Sequence, residues 1–96
     1  MKEWNFIANH GLVLLYVSQN RESTMREIAA AIGVTERSIQ RILKDLETEE
    51  YVTWQTTGKG NVYEINRSRE LKHEITRDLL VGDLLKLLNN ARRQKR

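Results

Sequence analysis

Arg37, Ser38, Gln40, Arg41 and Lys44 crowd into the stretch "TERSIQRILK", directly behind Thr35. A guanidinium can bind guanine bidentately or grip phosphate, and a Gln amide can pair with adenine. The spacing decides whether they act together. Ile39, Ile42, Leu43 and Leu46 fall at i, i+3, i+4 and i+7, the stripe of an amphipathic helix. At about 100° per residue, Arg37, Arg41 and Lys44 lie within roughly 40° of the direction opposite that stripe. The chemistry on offer is therefore recognition of a polyanion by one helix face. The bland alternative is a solvated face, the usual fate of surface cations.

Other chemistries find less support. His10 and His73 are the only histidines and Cys is absent, whereas a metal site needs several nitrogen or sulfur ligands. His10 reads as a helix-start residue and His73 as a surface one. No Ser stands in a pattern that supplies an oriented base, and no Gly-rich phosphate loop follows a strand. The expectation is no enzyme, no metal and no cofactor.

The elements that would position the cationic face follow from local signals. Residues 9–19 read as a mostly buried helix with Asn9 as its cap, and Trp4, Phe6 and Ile7 ahead of it read as packing on the core or a second subunit. "NRES" (20–23) reads as a polar connection. Thr24 and Glu27 form a capping-box pair, and Ile28, Ala29 and Ile32 give a short helix that ends at Gly33. Thr35 caps the next helix, 36–49. "YVTWQTT" and "VYEIN", joined by "GKGN", read as a hairpin with Lys59 near its tip. Trp54 and Tyr63 on it either stack on bases or pack the hairpin on the helices.

Residues 68–91 return to helix signals with Ser68 as cap, but their stripe is discontinuous. Leu71, Ile75 and Leu79 share one direction, and Leu80, Leu84, Leu87, Leu88 and Ala91 another, over a third of a turn away. Either the helix breaks or kinks near Leu80–Gly82, or its halves face different partners. The basic tail, 92–96, reads as a frayed, solubilising end.

Short helix, Gly-containing turn and second helix make a helix-turn-helix, and the hairpin makes it winged. The fold class is thus mainly α with a small β-hairpin. The chain forms one domain, with a core over 9–66, a C-terminal helical part over 68–91 and the tail. In this docking mode the N-terminal residues of the second helix approach the base edges, so Thr35, Arg37, Ser38, Gln40 and Arg41 are candidate groove contacts. Lys44 and Thr48, further along, are candidate phosphate contacts or solvated, and Lys59 at the hairpin tip would reach phosphate or the minor groove. Asp45, Glu47, Glu49 and Glu50 crowd the far end of the helix, which must tilt away from a polyanion.

Composition is compatible. The 96 residues are 40% hydrophobic and 30% charged, which suits a globular chain. Net charge is +3, mildly basic. The N-terminus lacks a signal-peptide pattern, and the Leu-rich run at 79–88 is too short for a bilayer span. The cytoplasm is the expected location, without membrane association.

"MREIAAAIGVTERSIQRILKDLE", followed by "YVTWQ" and "TGKGNVY", resembles the small winged helix-turn-helix transcriptional regulators of the MarR/ArsR-like type. The resemblance extends to "WNFIANHGLVLLYV" as first helix and "VGDLLKLL" as closing helix. It implies a homodimer joined through the terminal helices, with double-stranded DNA as partner and one recognition helix, 36–49, per half-site. The dimer contacts would then fall on Leu80, Leu84, Leu85, Leu87 and Leu88. A small-molecule effector is compatible, though no residue cluster marks its pocket. Two departures stand out. Glu50 occupies the place where the family commonly has Gly before the first wing strand, so the helix is expected to end without its left-handed residue. The wing turn carries Lys59 where more Arg is usual. Competing readings are a winged helix used for protein assembly, favoured by the acidic half of the 36–49 helix, and an RNA-binding module.

Overall fold

The computed structural model describes residues 6–94, with side chains described for 6–90. In chain order it runs α1 (Asn9–Gln19), β1 (Glu22–Ser23), α2 (Met25–Ile32), α3 (Glu36–Thr48), β2 (Val52–Thr57), β3 (Gly60–Ile65), a 3₁₀ turn (Glu74–Thr76) and α4 (Val81–Gln94). The strands form an antiparallel sheet in the order β1-β3-β2. Helices with a hairpin wing make this a winged helix.

The stripe that defined α3 is buried in full. Ile39, Ile42, Leu43 and Leu46 of α3 meet Val13, Leu14 and Val17 of α1 and Ile28 and Ala29 of α2 in one core. Val52 and Tyr63 enter from the sheet, Val81 and Leu85 from α4. Burial pushes the Tyr63 hydroxyl up from its ordinary value, and the Tyr51 hydroxyl likewise. Groups whose folded pKa is raised stabilise the fold below the unfolded pKa, about 10 for Tyr, and lose that contribution as pH rises above it. The urea midpoint is therefore expected to fall above about pH 10, and Tyr51→Phe with Tyr63→Phe should flatten that fall.

The structure corrects several sequence expectations. Asn9 is not the cap of α1. Ala8 precedes the helix and makes no side-chain cap bond. Phe6 is exposed, so of its two expected packing partners only a second subunit remains, Ile7 is half-buried, and Trp4 lies outside the described residues. The 20–23 connection contains a strand, because Glu22 and Ser23 pair with Val62 and Asn61.

Residues 68–80 are not a continuation of α4, and Ser68 caps no helix. Leu71, Ile75 and Leu79 have helical spacing but no shared surface to bury against, and Ile75 and Leu79 stay exposed. The backbone folds back instead: Leu71 N–H donates to the Leu79 carbonyl at 2.8 Å, and Glu70 bridges Leu80. The helix begins at Val81, and its backbone continues through Gln94 into the tail. Gly82 permits that start. Its N–H donates to the Arg67 carbonyl at 3.0 Å, and a Cβ there would stand 2.6 Å from Arg67 Cβ. Gly82→Ala should therefore destabilise by about 1–3 kcal/mol through overpacking, although Ala is the better helix former. A urea midpoint unchanged or raised would refute this close approach.

Glu50 also departs from expectation. Its φ is +67°, so α3 ends on a left-handed residue after all. Tyr51 N–H reaches the Leu46 carbonyl at 2.8 Å and Glu50 N–H the Glu47 carbonyl at 2.9 Å, a Schellman closure normally built on Gly. Asn66 Nδ2 donates to the Glu50 carbonyl at 3.1 Å and helps hold it. Relieving the side-chain strain outweighs the added freedom of the unfolded chain. Glu50→Gly is thus expected to stabilise by up to about 1 kcal/mol, a Tm rise of a few degrees in a calorimetric scan. A lower Tm would show that the left-handed residue carries little strain.

Candidate nucleic-acid interface

The start of α3 is fixed from both sides. Thr24 and Glu27 complete their capping box, with Glu27 N–H donating to Thr24 Oγ1 at 3.0 Å and Thr24 N–H to Glu27 Oε1 at 2.9 Å. Gly33 closes α2 at φ +90°. Thr35 then caps α3, its Oγ1 accepting Ser38 N–H at 3.0 Å and lying 3.0 Å from Ser38 Oγ. The hydroxyls of Thr35 and Ser38 thus serve the helix start, and Ser38 is half-buried.

Arg37, Gln40, Arg41 and Lys44 are exposed on the face opposite the buried stripe. Among the described residues, their side chains make no hydrogen bond or ion pair with protein, so their donors face solvent. Lys59 occupies the two-residue hairpin turn and is exposed. The turn is rooted: Thr57 Oγ1 accepts Lys59 N–H at 3.1 Å and lies 3.1 Å from Glu22 Oε2. Gly60, at φ +128°, passes so close to Ser23 that a Cβ would meet its carbonyl group at 3.0 Å. Trp54 and Tyr63 face each other across the wing with ring centroids 5.9 Å apart. Tyr63 is buried, so it packs the wing on the helices and has no face to offer a base.

Two acidic side chains at the far end of α3 have protein partners. Asp45 Oδ2 lies 2.9 Å from His10 Nε2 on α1, and Glu49 lies 3.3 Å from Lys72 and 3.8 Å from Arg69. At the near end, Glu36 is matched by Arg26 of α2 at 3.4 Å. Arg26 is a cation that sequence reasoning passed over. It is exposed in the first turn of α2, the helix that would cross the backbone in this docking mode, and its place inside the capping box, between Thr24 and Glu27, was the available signal. His73 Nδ1 accepts Ile75 N–H at 3.1 Å, which caps the 3₁₀ turn. Among the described residues, no group of three or more His, Asp or Glu could hold a metal, and no helix is long and apolar enough to cross a membrane.

The residues expected at a dimer interface divide. Leu85 is buried in the protomer's own core, because α4 packs on α1. Gln19 Nε2 donates to Asn89 Oδ1 at 2.7 Å across that contact. Leu80, Leu84 and Leu88 are half-buried, and Leu87 is 65% exposed. Leu84 and Leu88 line an apolar groove with Ile7, Leu14 and Leu71.

A family model described as MarR family matches residues 5–59, from ahead of α1 to the tip of the wing. No curated protein matches the chain.

Proposed function

Because the chain belongs to the MarR family of winged-helix transcriptional regulators, we propose that it reads double-stranded DNA sequence-specifically as a homodimer. Each protomer inserts α3 into a major groove. Arg37, Gln40 and Arg41 contact base edges, while Lys44 and the wing's Lys59 contact phosphate. The Thr35–Ser38 cap sets the register of the helix start. The observation that carries this reading is the row Arg37, Gln40, Arg41 and Lys44, unpaired among the described residues and held outward by the buried stripe behind it. The contact of Asp45 with His10 and the ion pair of Glu49 with Lys72 add support, since they hold these two carboxylates against protein.

A core over residues 9–66 then does the reading, and residues 68–91 join the protomers. Two copies meet over the terminal helices, with Leu84, Leu87 and Leu88 at the contact. The working location is the cytoplasm. Half-sites are expected one helical turn apart, about 34–36 Å, or a multiple of that.

The test is fluorescence anisotropy on a duplex that the protein enriches from a random pool, beside a scrambled duplex of equal length. Tight binding to the enriched duplex alone, weakening steeply with salt, is the expected result. Equal, salt-sensitive binding to both would reduce the protein to a non-specific binder. Failure to enrich any duplex would favour a protein-assembly role, and preference for RNA competitor an RNA-binding one.

A further inference from the structure

Arg69 joins the end of α3 to the start of α4. Its main chain belongs to α4: the Arg69 carbonyl accepts Val81 N–H at 2.8 Å, beside the bond from Gly82 N–H to the Arg67 carbonyl. Its side chain belongs to α3. Nε donates to the Glu49 carbonyl at 2.7 Å, and a terminal nitrogen lies 3.8 Å from Glu49 Oε1. The guanidinium also covers the Tyr51 ring, 5.7 Å from its centroid. Tyr51 returns a bond of its own, from its hydroxyl to the Glu70 carbonyl at 2.8 Å.

A planar guanidinium that hydrogen-bonds a backbone carbonyl while stacked on a ring has one orientation, unlike a freely rotating ammonium. The carbonyl it grips belongs to Glu49, which follows the last residue of α3. We propose that Arg69 is a positioning residue that fixes the angle between α3 and α4 and so sets which half-site spacing the dimer accepts. The inference rests on the reading of the protein as a dimeric DNA-binding regulator.

The reasoning is geometric. In a two-fold dimer joined through α4, any looseness between α3 and α4 enters twice, once per protomer. Adding one base pair moves a half-site by about 3.4 Å and turns it by roughly 35°. A stiff α3–α4 connection rejects that change, and a loose one accommodates it. A single half-site involves one α3 alone and is indifferent to the connection.

The experiment compares wild type, Arg69→Met, Arg69→Lys and Lys72→Met on duplexes carrying the enriched two-fold site. The spacer is native, one base pair shorter or one longer, and a single half-site runs alongside. Thermal melts establish that each variant is folded. Arg69→Lys keeps the charge and the stem, so it carries the test if Arg69→Met does not fold. For the Arg69 variants, the affinity ratio between native and altered spacers is expected to fall roughly tenfold. Single half-site binding should stay within about twofold. Lys72→Met removes an ion pair to the same Glu49 carboxylate but no backbone bond, and should keep the wild-type ratio. General loosening of the fold would weaken every duplex alike and leave the ratio unchanged.

Sharp spacing in the Arg69 variants would overturn the proposal and leave the DNA-reading function intact. Equal relaxation in Lys72→Met would overturn it too, by assigning the effect to the charge on Glu49. A wild type indifferent to spacing would remove the dimeric reading, and the proposal with it.

Discussion

Arg37→Ala and Arg41→Ala should each cost about 1–3 kcal/mol at the preferred duplex while leaving the scrambled duplex much less affected. That is roughly a 5- to 150-fold loss of affinity, most of it in discrimination. The reason lies in what the side chains do without DNA. Both are exposed, and neither has a protein partner among the described residues to be surrendered on binding. Their removal should therefore leave the free protein's melting curve in place. Lys44→Ala provides the contrast. A phosphate contact weakens all sequences nearly uniformly and lowers the salt slope by about one. Unchanged discrimination in both Arg variants would move sequence reading away from this face of α3.

Leu43→Ala is expected to cost about 2–5 kcal/mol of stability, because the side chain is completely buried at the meeting of α1, α2 and α3. A domain of this size has only ~5–15 kcal/mol in total, so a Tm fall of ten degrees or more should follow. Ile39→Ala, equally buried, should behave alike. Chemical denaturation with circular dichroism reads the loss directly. A loss below about 1 kcal/mol would mean that the core collapses around the deletion. The two experiments separate cleanly: the stripe on one side of α3 governs folding, and the row on the other governs binding.

The parts of the fold legible in the sequence were those decided within a few residues. The capping box at Thr24 and Glu27, the left-handed Gly33, the Thr35 cap and the stripe of α3 each rest on local chemistry, and each stands in the structure. The parts that escaped depend on distant partners. Leu71, Ile75 and Leu79 repeat every four residues as a helix would, yet the competing contacts come from Tyr51, Val81 and Gly82. The discontinuity in the apolar pattern near Leu80 was visible, but not that everything ahead of it would be irregular. Glu50 illustrates the reverse case. Side-chain type argued against a left-handed residue, while the Schellman bonds and the Asn66 amide impose one. For the candidate interface, helical phase sufficed to place Arg37, Gln40, Arg41 and Lys44 on one exposed face. It could not show that the Ser38 hydroxyl joins the Thr35 cap, nor that Leu85 is committed to the core.

The two-residue strand β1 has a bearing on the order in which the chain assembles. It pairs Glu22 with Val62, about 40 positions on, whereas the contacts of α2 with α3 and of β2 with β3 close much shorter loops. Loop closure of that length must be met before the pairing returns any stabilisation, so it is expected late on the folding path. A chain emerging from the ribosome can form α1, α2 and α3 while Ser23, buried in the finished protein, is still bare. Only when β3 follows does the sheet lock the connection between α1 and α2 in place. The wing thus serves the helices as a closing staple, and a nascent chain stopped short of Val62 retains an unclosed segment directly ahead of the helix-turn-helix.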